Sequence, residues 1–112
     1  MTEMSNRKVP PAEAVPLKDL AVYQDRSVVS REVINKPSGT VTVFAFDAGE
    51  GLSEHTAPFD ALVHILEGEA EISIEGTAHQ AREGEMIIMP AGEPHSIKTI
   101  GPFKMMLVMI RG

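Results

Sequence analysis

Two histidines, His55 and His95, are the residues of this sequence whose type and setting could carry chemistry. Each lies in a run punctuated by glycine or proline, residues 49–57 for the first and residues 84–95 for the second. Imidazole titrates near neutral pH and is the commonest side-chain ligand of transition metals. The pair therefore predicts a metal site or a direct ligand-binding site. The plainer alternative is two polar groups hydrogen-bonded to each other, or to water, inside the fold.

Other side chains of chemical interest have simpler interpretations. Glutamates that alternate with apolar residues predict a solvated strand face rather than an acid–base cluster; they are Glu67, Glu69, Glu71 and Glu75. His79 lies near a predicted turn and is expected on the surface. Methionines of the C-terminal half could form a soft-metal or promiscuous binding surface, although core filling explains them more simply. They are Met86, Met89, Met105, Met106 and Met109.

Short strands must position the histidines, because residues 27–110 show strand periods separated by turns rich in glycine and proline. The clearest alternation covers residues 69–75 and ends in a predicted tight hairpin at Glu75 and Gly76. No segment of this region has a sustained helical period, which excludes a helix bundle. The sequence predicts an all-β sandwich or barrel. Residues 1–25 predict an N-terminal arm with one helical turn near residues 16–20, and residues 26–112 predict the barrel domain.

The second glycine-containing run matches a known pattern of a glycine, five residues, a proline, one residue, a glycine, two residues and a histidine. The matching residues are Gly84, Pro90, Gly92 and His95. Here the chain resembles the cupin superfamily, whose members are small double-sheeted jelly-roll barrels. The asparagine that often follows after three further residues is absent, and Thr99 stands in its place.

The first cupin motif is only partly present. Gly49, His55 and Gly68 fit it, whereas Ala57 replaces its second histidine and Ala61 stands at its glutamate. Metal-dependent cupins use three histidines and a carboxylate to oxygenate, isomerise or decarboxylate small metabolites. The resemblance therefore implies a divalent Fe, Mn, Ni or Zn ion at His55 and His95, as half of such a site.

A third metal ligand has to come from elsewhere, since a catalytic divalent ion usually takes three or more protein ligands. Asp60, beside the replaced glutamate, and Glu54, beside His55, are two candidates. His64 is a third, although alternation from Ala61 places it on the opposite face of its strand. A bulge at residues 58–60 could reverse that parity.

A ligand is expected in the mouth of the barrel, around the two histidines. Strand parity predicts that the lining includes Phe44, Phe46, Val63 and Met89, which suits a small and fairly apolar molecule. The leading hypothesis is a cupin that binds such a molecule, with a divalent metal at His55 and His95. The alternatives are a non-catalytic, metal-free binding or sensory module, and a purely structural dimer.

The last predicted strand, residues 104–110, is apolar on both faces. One face can fill the core, while the other would be exposed in a monomer unless something covers it. We expect a homodimer formed through this strand or through the N-terminal arm. Folding of the arm over the strand within one chain is the alternative.

Composition narrows the remaining classes of function. The 112 residues suit one domain, and the absence of cysteine excludes disulfides and thiolate sites. The net charge is −6 with scattered lysines and arginines, so nucleic acid is not an expected partner. No apolar run reaches the roughly 18 to 20 residues of a membrane span, and the first residues do not resemble a signal peptide. No phosphate-cradling glycine loop points to an organic cofactor. We expect a cytoplasmic protein.

Overall fold

Glycine and proline divide the chain into short strands, as the sequence predicts. The computed structural model describes residues 2–4 and 9–111. The described elements, in chain order, are β1 (Thr2–Met4), a 3-10 helix (Leu17–Leu20), β2 (Val28–Lys36), β3 (Gly39–Phe46), β4 (Gly51–His55), β5 (Asp60–Glu67), β6 (Glu69–Ile74), β7 (Thr77–Arg82), β8 (Met86–Met89), β9 (His95–Thr99) and β10 (Phe103–Ile110).

The strands form two sheets that face each other across one core. The larger sheet has the order β1-β2-β3-β10-β5-β8, and the smaller has the order β4-β9-β6-β7. Neighbouring strands are antiparallel except for β1 and β2, which run parallel. Strand β4 is not among the strands that the sequence pattern predicts. Its residues are mostly exposed and lack the alternation that marked the other strands.

The core between the sheets is built from the alternate side chains that each strand turns inward. Phe46 and Phe103 stack at its centre with ring centroids 4.5 Å apart. Ile72 from the smaller sheet and Ile65 from the larger are fully buried in the same cluster. The hairpin predicted between β6 and β7 is present, with positive φ angles of 50° at Glu75 and 79° at Gly76.

The outer face of the larger sheet is partly covered by the segment that precedes β2. Ala21 is buried there, and Leu20 and Tyr23 pack with it against a second apolar cluster that includes Val43 and Met106. Strand β10, which carries Met106, lies between β3 and β5 and is therefore central rather than an edge. The predicted helical turn is the 3-10 helix of this covering segment.

An apolar row remains outside the covering segment. Val108 of β10 is the register neighbour of Val41 on one side and of Leu62 on the other, and Leu62 is next to Ile88 of β8. Ile88 is half exposed. Met106 on the second face of β10 thus packs against the covering segment, whereas Val108, which is half-buried, is not part of that cluster among the described residues. Within the described ranges, no helix is long and apolar enough to cross a membrane.

Candidate functional site

His55 and His95 are brought together by the pairing of β4 with β9. His55 ends β4, His95 begins β9, and the two are register partners. One backbone hydrogen bond ties the flanking loops together beside them: Gly92 donates its N–H to the carbonyl of Ala57 at 2.8 Å. The φ of +80° at Gly92 lets the chain turn there. His95 is 4 % exposed, whereas His55 lies at the surface, so the pair is located at the boundary between the core and solvent.

The outer nitrogen of each ring is fixed by a backbone carbonyl. Nδ1 of His55 lies 2.8 Å from the carbonyl oxygen of Ser53, and Nδ1 of His95 lies 3.1 Å from that of Glu93. A carbonyl oxygen only accepts, so each Nδ1 must carry the proton and donate it. A neutral imidazole has one N–H, which leaves Nε2 of both rings as an unprotonated nitrogen.

The two Nε2 atoms face each other at 3.1 Å, with the rings edge to face. In neutral rings this places two lone pairs at hydrogen-bond distance with no proton between them. The pKa of His95 is lowered by burial; the nearby His55 also lowers it, and the Glu93 carbonyl opposes the shift. Burial therefore disfavours a proton on the His95 ring, so its Nε2 is free to accept a proton or to coordinate a metal ion.

A small cavity of about 50 Å³ lies beside these nitrogens, between the two sheets. Its lining is Leu52, His55, Ala57, Ala61, Met89, His95, Ile97, Met105, Leu107 and Met109. Ala57 and Ala61 are the two positions where the cupin ligand pattern is broken. Both border the cavity, so the ligand positions converge as the motif implies, but two of them carry only methyl groups.

The three candidates for an additional ligand do not border this cavity. Asp60 uses its Oδ1 to accept the backbone N–H of Ala91 at 2.9 Å, which fastens the loop before β9. Glu54 is exposed to solvent. His64 lies on the outer face of β5, where it borders a surface groove with Leu17. The parity argument for His64 therefore holds in the structure.

The predicted lining agrees with the cavity at Met89 alone. Phe46 and Val63 are fully buried in the core, and Phe44 packs partly buried against it, but none of the three borders the cavity. All three face inward as parity requires; Phe46 lies deeper, stacked on Phe103. Parity predicts which face of a strand a residue lies on, but not how far along the strand it lies. It therefore does not distinguish core residues from residues that line the cavity.

From the sequence the methionines are explained by core filling, whereas three of them line the cavity. Met105 and Met109 of β10 join Met89 around the cavity, with Leu107 between them. In the sequence Met105, Leu107 and Met109 occupy every second position of β10. The sequence alone does not show which alternate set faces the interior, because residues 104–110 are apolar on both faces.

The donor set does not complete the divalent site that the cupin resemblance implies. Among the described residues, two imidazoles border the cavity and no carboxylate does. Within residues 2–4 and 9–111, no group of three or more histidine, cysteine, aspartate or glutamate side chains is placed to hold a metal ion. Catalytic divalent ions usually take at least three protein ligands, so this set falls one short.

The remaining polar candidates lie away from the site. Glu67 accepts the hydroxyl of Tyr23 at 2.6 Å. Glu69 accepts from Gln80 at 2.7 Å and lies 3.6 Å from Arg82. His79 is exposed on β7. Glu67 and Glu69 thus have structural partners, and none of the four glutamates Glu67, Glu69, Glu71 and Glu75 borders the cavity.

Comparison with known proteins agrees with this architecture. No curated protein matches the chain. A conserved protein of unknown function from Streptococcus pyogenes superposes with a TM-score of 0.89 at 32 % identity, over 100 % of this chain and 96 % of its own. A cupin superfamily protein from Desulfitobacterium hafniense superposes with a TM-score of 0.88 at 26 % identity, over 95 % of this chain and 97 % of its own.

A cupin 2 conserved barrel domain protein from Leptotrichia buccalis is also similar. Its TM-score is 0.81 at 34 % identity, over 84 % of this chain and 46 % of that one, so this chain spans about half its length. A family model for the cupin domain matches residues 42–111, which include both histidines and both broken ligand positions. Sequence motif, sheet topology and family model agree: the chain belongs to the cupin domain family.

Proposed function

We propose that this cupin domain is a non-catalytic binding module that takes a compact ligand between His55 and His95. The observation that supports it is the facing pair of Nε2 atoms at 3.1 Å, each left without a proton by the carbonyl bound to its Nδ1. Such a pair accepts the acidic proton of a small molecule or coordinates a metal ion. The ligand is therefore an electron-pair acceptor.

The composition of the lining supports binding rather than acid–base catalysis. Apart from the two imidazoles, the described lining is made of aliphatic and methionine side chains. General acid–base catalysis needs a titrating group within hydrogen-bond reach of the reacting atoms. The two imidazoles are the titrating groups of the described lining, and their Nε2 atoms already face each other at 3.1 Å. The cavity of about 50 Å³ is also far smaller than the several hundred cubic ångströms typical of metabolite pockets.

A divalent Fe, Mn, Ni or Zn ion is the family alternative at this site. Asp60, Glu54 and His64 are all outside the lining, so such an ion would rest on two protein nitrogens. We propose that divalent ions bind weakly and exchange readily here.

The experiment observes the imidazole nitrogens directly. Long-range ¹H–¹⁵N spectra of the labelled protein report the state of each Nε2 while acetic acid, phenol, Zn(II) or Ag(I) is added. We expect at least one probe to shift the Nε2 signals of His55 and His95 together. The same probe should leave the exposed His79 unchanged.

Two variants complete the test. The double variant His55→Gln/His95→Gln should lose the thermal stabilisation given by that probe, whereas the matched surface variant His79→Gln should keep it. If none of the four probes moves either Nε2 signal, the binding proposal is wrong.

A further inference from the structure

We propose that the occupant of the His55–His95 cavity is Cu(I), a soft monovalent ion, held by both Nε2 atoms and by methionine thioethers. This inference rests on the proposed function, because it names the ligand of the same site. Three observations carry it: the methionines in the lining, the size of the cavity, and its lack of negative charge.

Sulfur is the first observation. Met89 of β8 and both Met105 and Met109 of β10 border the cavity that the two imidazoles border. Met89 is 3 % exposed and Met105 is fully buried. Thioether sulfur is a soft donor that selects Cu(I), while hard divalent ions prefer carboxylate, carbonyl and water oxygen. The donors that the described lining of the cavity offers are two imidazole nitrogens and three thioether sulfurs.

Size is the second observation. Where the cupin motif has a histidine and a glutamate, this chain has Ala57 and Ala61, and both border the cavity. The remaining space of about 50 Å³ is small beside the several hundred cubic ångströms of typical metabolite pockets. It suits a single ion better than a metabolite.

Charge is the third observation. No carboxylate of the residues that the structure describes borders the cavity, so none of them neutralises a bound cation there. The cost of burying an ion grows with the square of its charge, and a monovalent ion avoids most of the cost that a divalent ion incurs in this apolar lining. Neutral imidazoles and thioethers match an ion of single charge.

The spacing of the nitrogens fits this coordination. With metal–nitrogen bonds of about 2 Å, as imidazole makes to zinc, two Nε2 atoms at 3.1 Å subtend an angle of roughly 100° at the ion. An angle of that size leaves the inner side of the ion open to sulfur from β8 or β10. The Nδ1 contacts to Ser53 and Glu93 hold both rings in the tautomer that coordination requires.

The test is an anaerobic titration of the full chain with Cu(I), in competition with the chelator bicinchoninate. We expect one Cu(I) per chain, and affinity for Zn(II) at least a hundredfold weaker. His55→Gln/His95→Gln should abolish the tight site. The triple variant Met89→Leu/Met105→Leu/Met109→Leu keeps similar side-chain volumes, so it should fold, and it should bind Cu(I) at least tenfold more weakly.

The matched control is Met86→Leu/Met106→Leu, since these two methionines lie on the outer face of the larger sheet. It should bind Cu(I) as the parent chain does. X-ray absorption of the Cu(I)-loaded parent protein gives a readout that does not depend on folding of a variant, and it should show nitrogen and sulfur scatterers together.

The outcomes separate the two proposals. Affinity for Cu(I) that is no higher than for Zn(II), or a copper spectrum without sulfur, overturns the assignment to Cu(I). If acetic acid or phenol still shifts both Nε2 signals in that case, the binding function stands and only its ligand is wrong. If neither Cu(I) nor any other probe shifts them, both proposals fail.

Discussion

The hydroxyl of Tyr23 donates to Oε2 of Glu67 at 2.6 Å and joins the segment before β2 to the end of β5. Lys104 of β10 lies beside the same ring, with its Nζ 5.0 Å from the ring centroid of Tyr23. The covering segment is therefore held on the barrel by polar contacts as well as by the apolar cluster around Ala21.

Alkaline titration should reveal the Tyr23–Glu67 contact. Burial raises the pKa of Tyr23 well above its ordinary value, and the hydrogen bond and the charge of Glu67 raise it further. Because the folded-state pKa is the higher one, the contact's stabilisation is complete below about pH 10 and is lost as the pH rises above it. Tyr23 is the single tyrosine of the chain, so absorbance near 295 nm reports it directly.

The control for this titration is Tyr23→Phe, which should remove the alkaline slope of the unfolding free energy. A tyrosine that ionises at its ordinary pKa in the folded protein would contradict the contact.

Replacing Lys104 should loosen the covering segment. Its Nζ donates to the carbonyl of Lys18 at 2.7 Å, and the side chain is only 8 % exposed. Lys104→Met keeps the apolar stem but leaves that carbonyl without its charged donor, so we expect a loss of about 1–3 kcal/mol in the free energy of unfolding. Urea denaturation measures it, with the exposed Lys98→Met as control. Equal stability of the two variants would mean that the hydrogen bond from Lys104 to Lys18 contributes nothing to the free energy of unfolding.

Restoring the broken ligand pattern should create a divalent site. Ala57→His/Ala61→Glu adds an imidazole and a carboxylate to the lining, and calorimetry should show at least a hundredfold gain in Zn(II) or Ni(II) affinity. Without metal the variant should be less stable by about 1–3 kcal/mol, because the cavity has little room for larger side chains. Ala78→His on the exposed face of β7 is the control. Unchanged affinity would show that the two positions do not converge on the histidines.

Gly68 should tolerate alanine less well than Gly76. Its φ is +76°, and a Cβ placed on it would lie 2.5 Å from the carbonyl oxygen of Pro102. Gly76 has a similar φ of +79° but open space around it. We expect Gly76→Ala to destabilise by about 1 kcal/mol and Gly68→Ala by more than about 2 kcal/mol. Thermal unfolding of both variants decides whether the close approach adds to the backbone strain.

The apolar row at Val108 should form a homodimer interface. Val108, Leu62 and Ile88 are adjacent on the outer face beyond the covering segment. We expect sedimentation to give twice the chain mass of 12.1 kDa, and Val108→Lys to give the single chain mass. Thr77→Lys, at the exposed β6–β7 hairpin, is the control. A parent protein that sediments as a monomer at micromolar concentration rules out this interface.

Local rules were enough to predict much of the fold. Alternation of polar and apolar residues marked β6, and Glu75 and Gly76 marked its hairpin. The resemblance to the cupin motif, carried by the spacing of glycine and proline before His95, implies the jelly-roll barrel and a shared site for the two histidines. These signals succeed because backbone conformation and strand parity depend on near neighbours in sequence.

The site needed contacts that no local rule contains. The Nδ1–carbonyl pairs, which fix the tautomers, depend on ring orientation. The side on which Met105 and Met109 lie was hidden because both faces of β10 are apolar. Glu67 belongs by alternation to a solvated strand face, yet it accepts the hydroxyl of Tyr23, which lies far from it in sequence.

The central place of β10 has a kinetic consequence. Strands β3 and β5 do not pair with each other; each pairs with β10, which follows both of them in the chain. During synthesis the larger sheet therefore remains in two halves, with open edges, until Phe103–Ile110 has left the ribosome. Closing it requires contacts between distant parts of the chain, which is the property that makes folding slow. The interval before closure is when this protein is most exposed to aggregation.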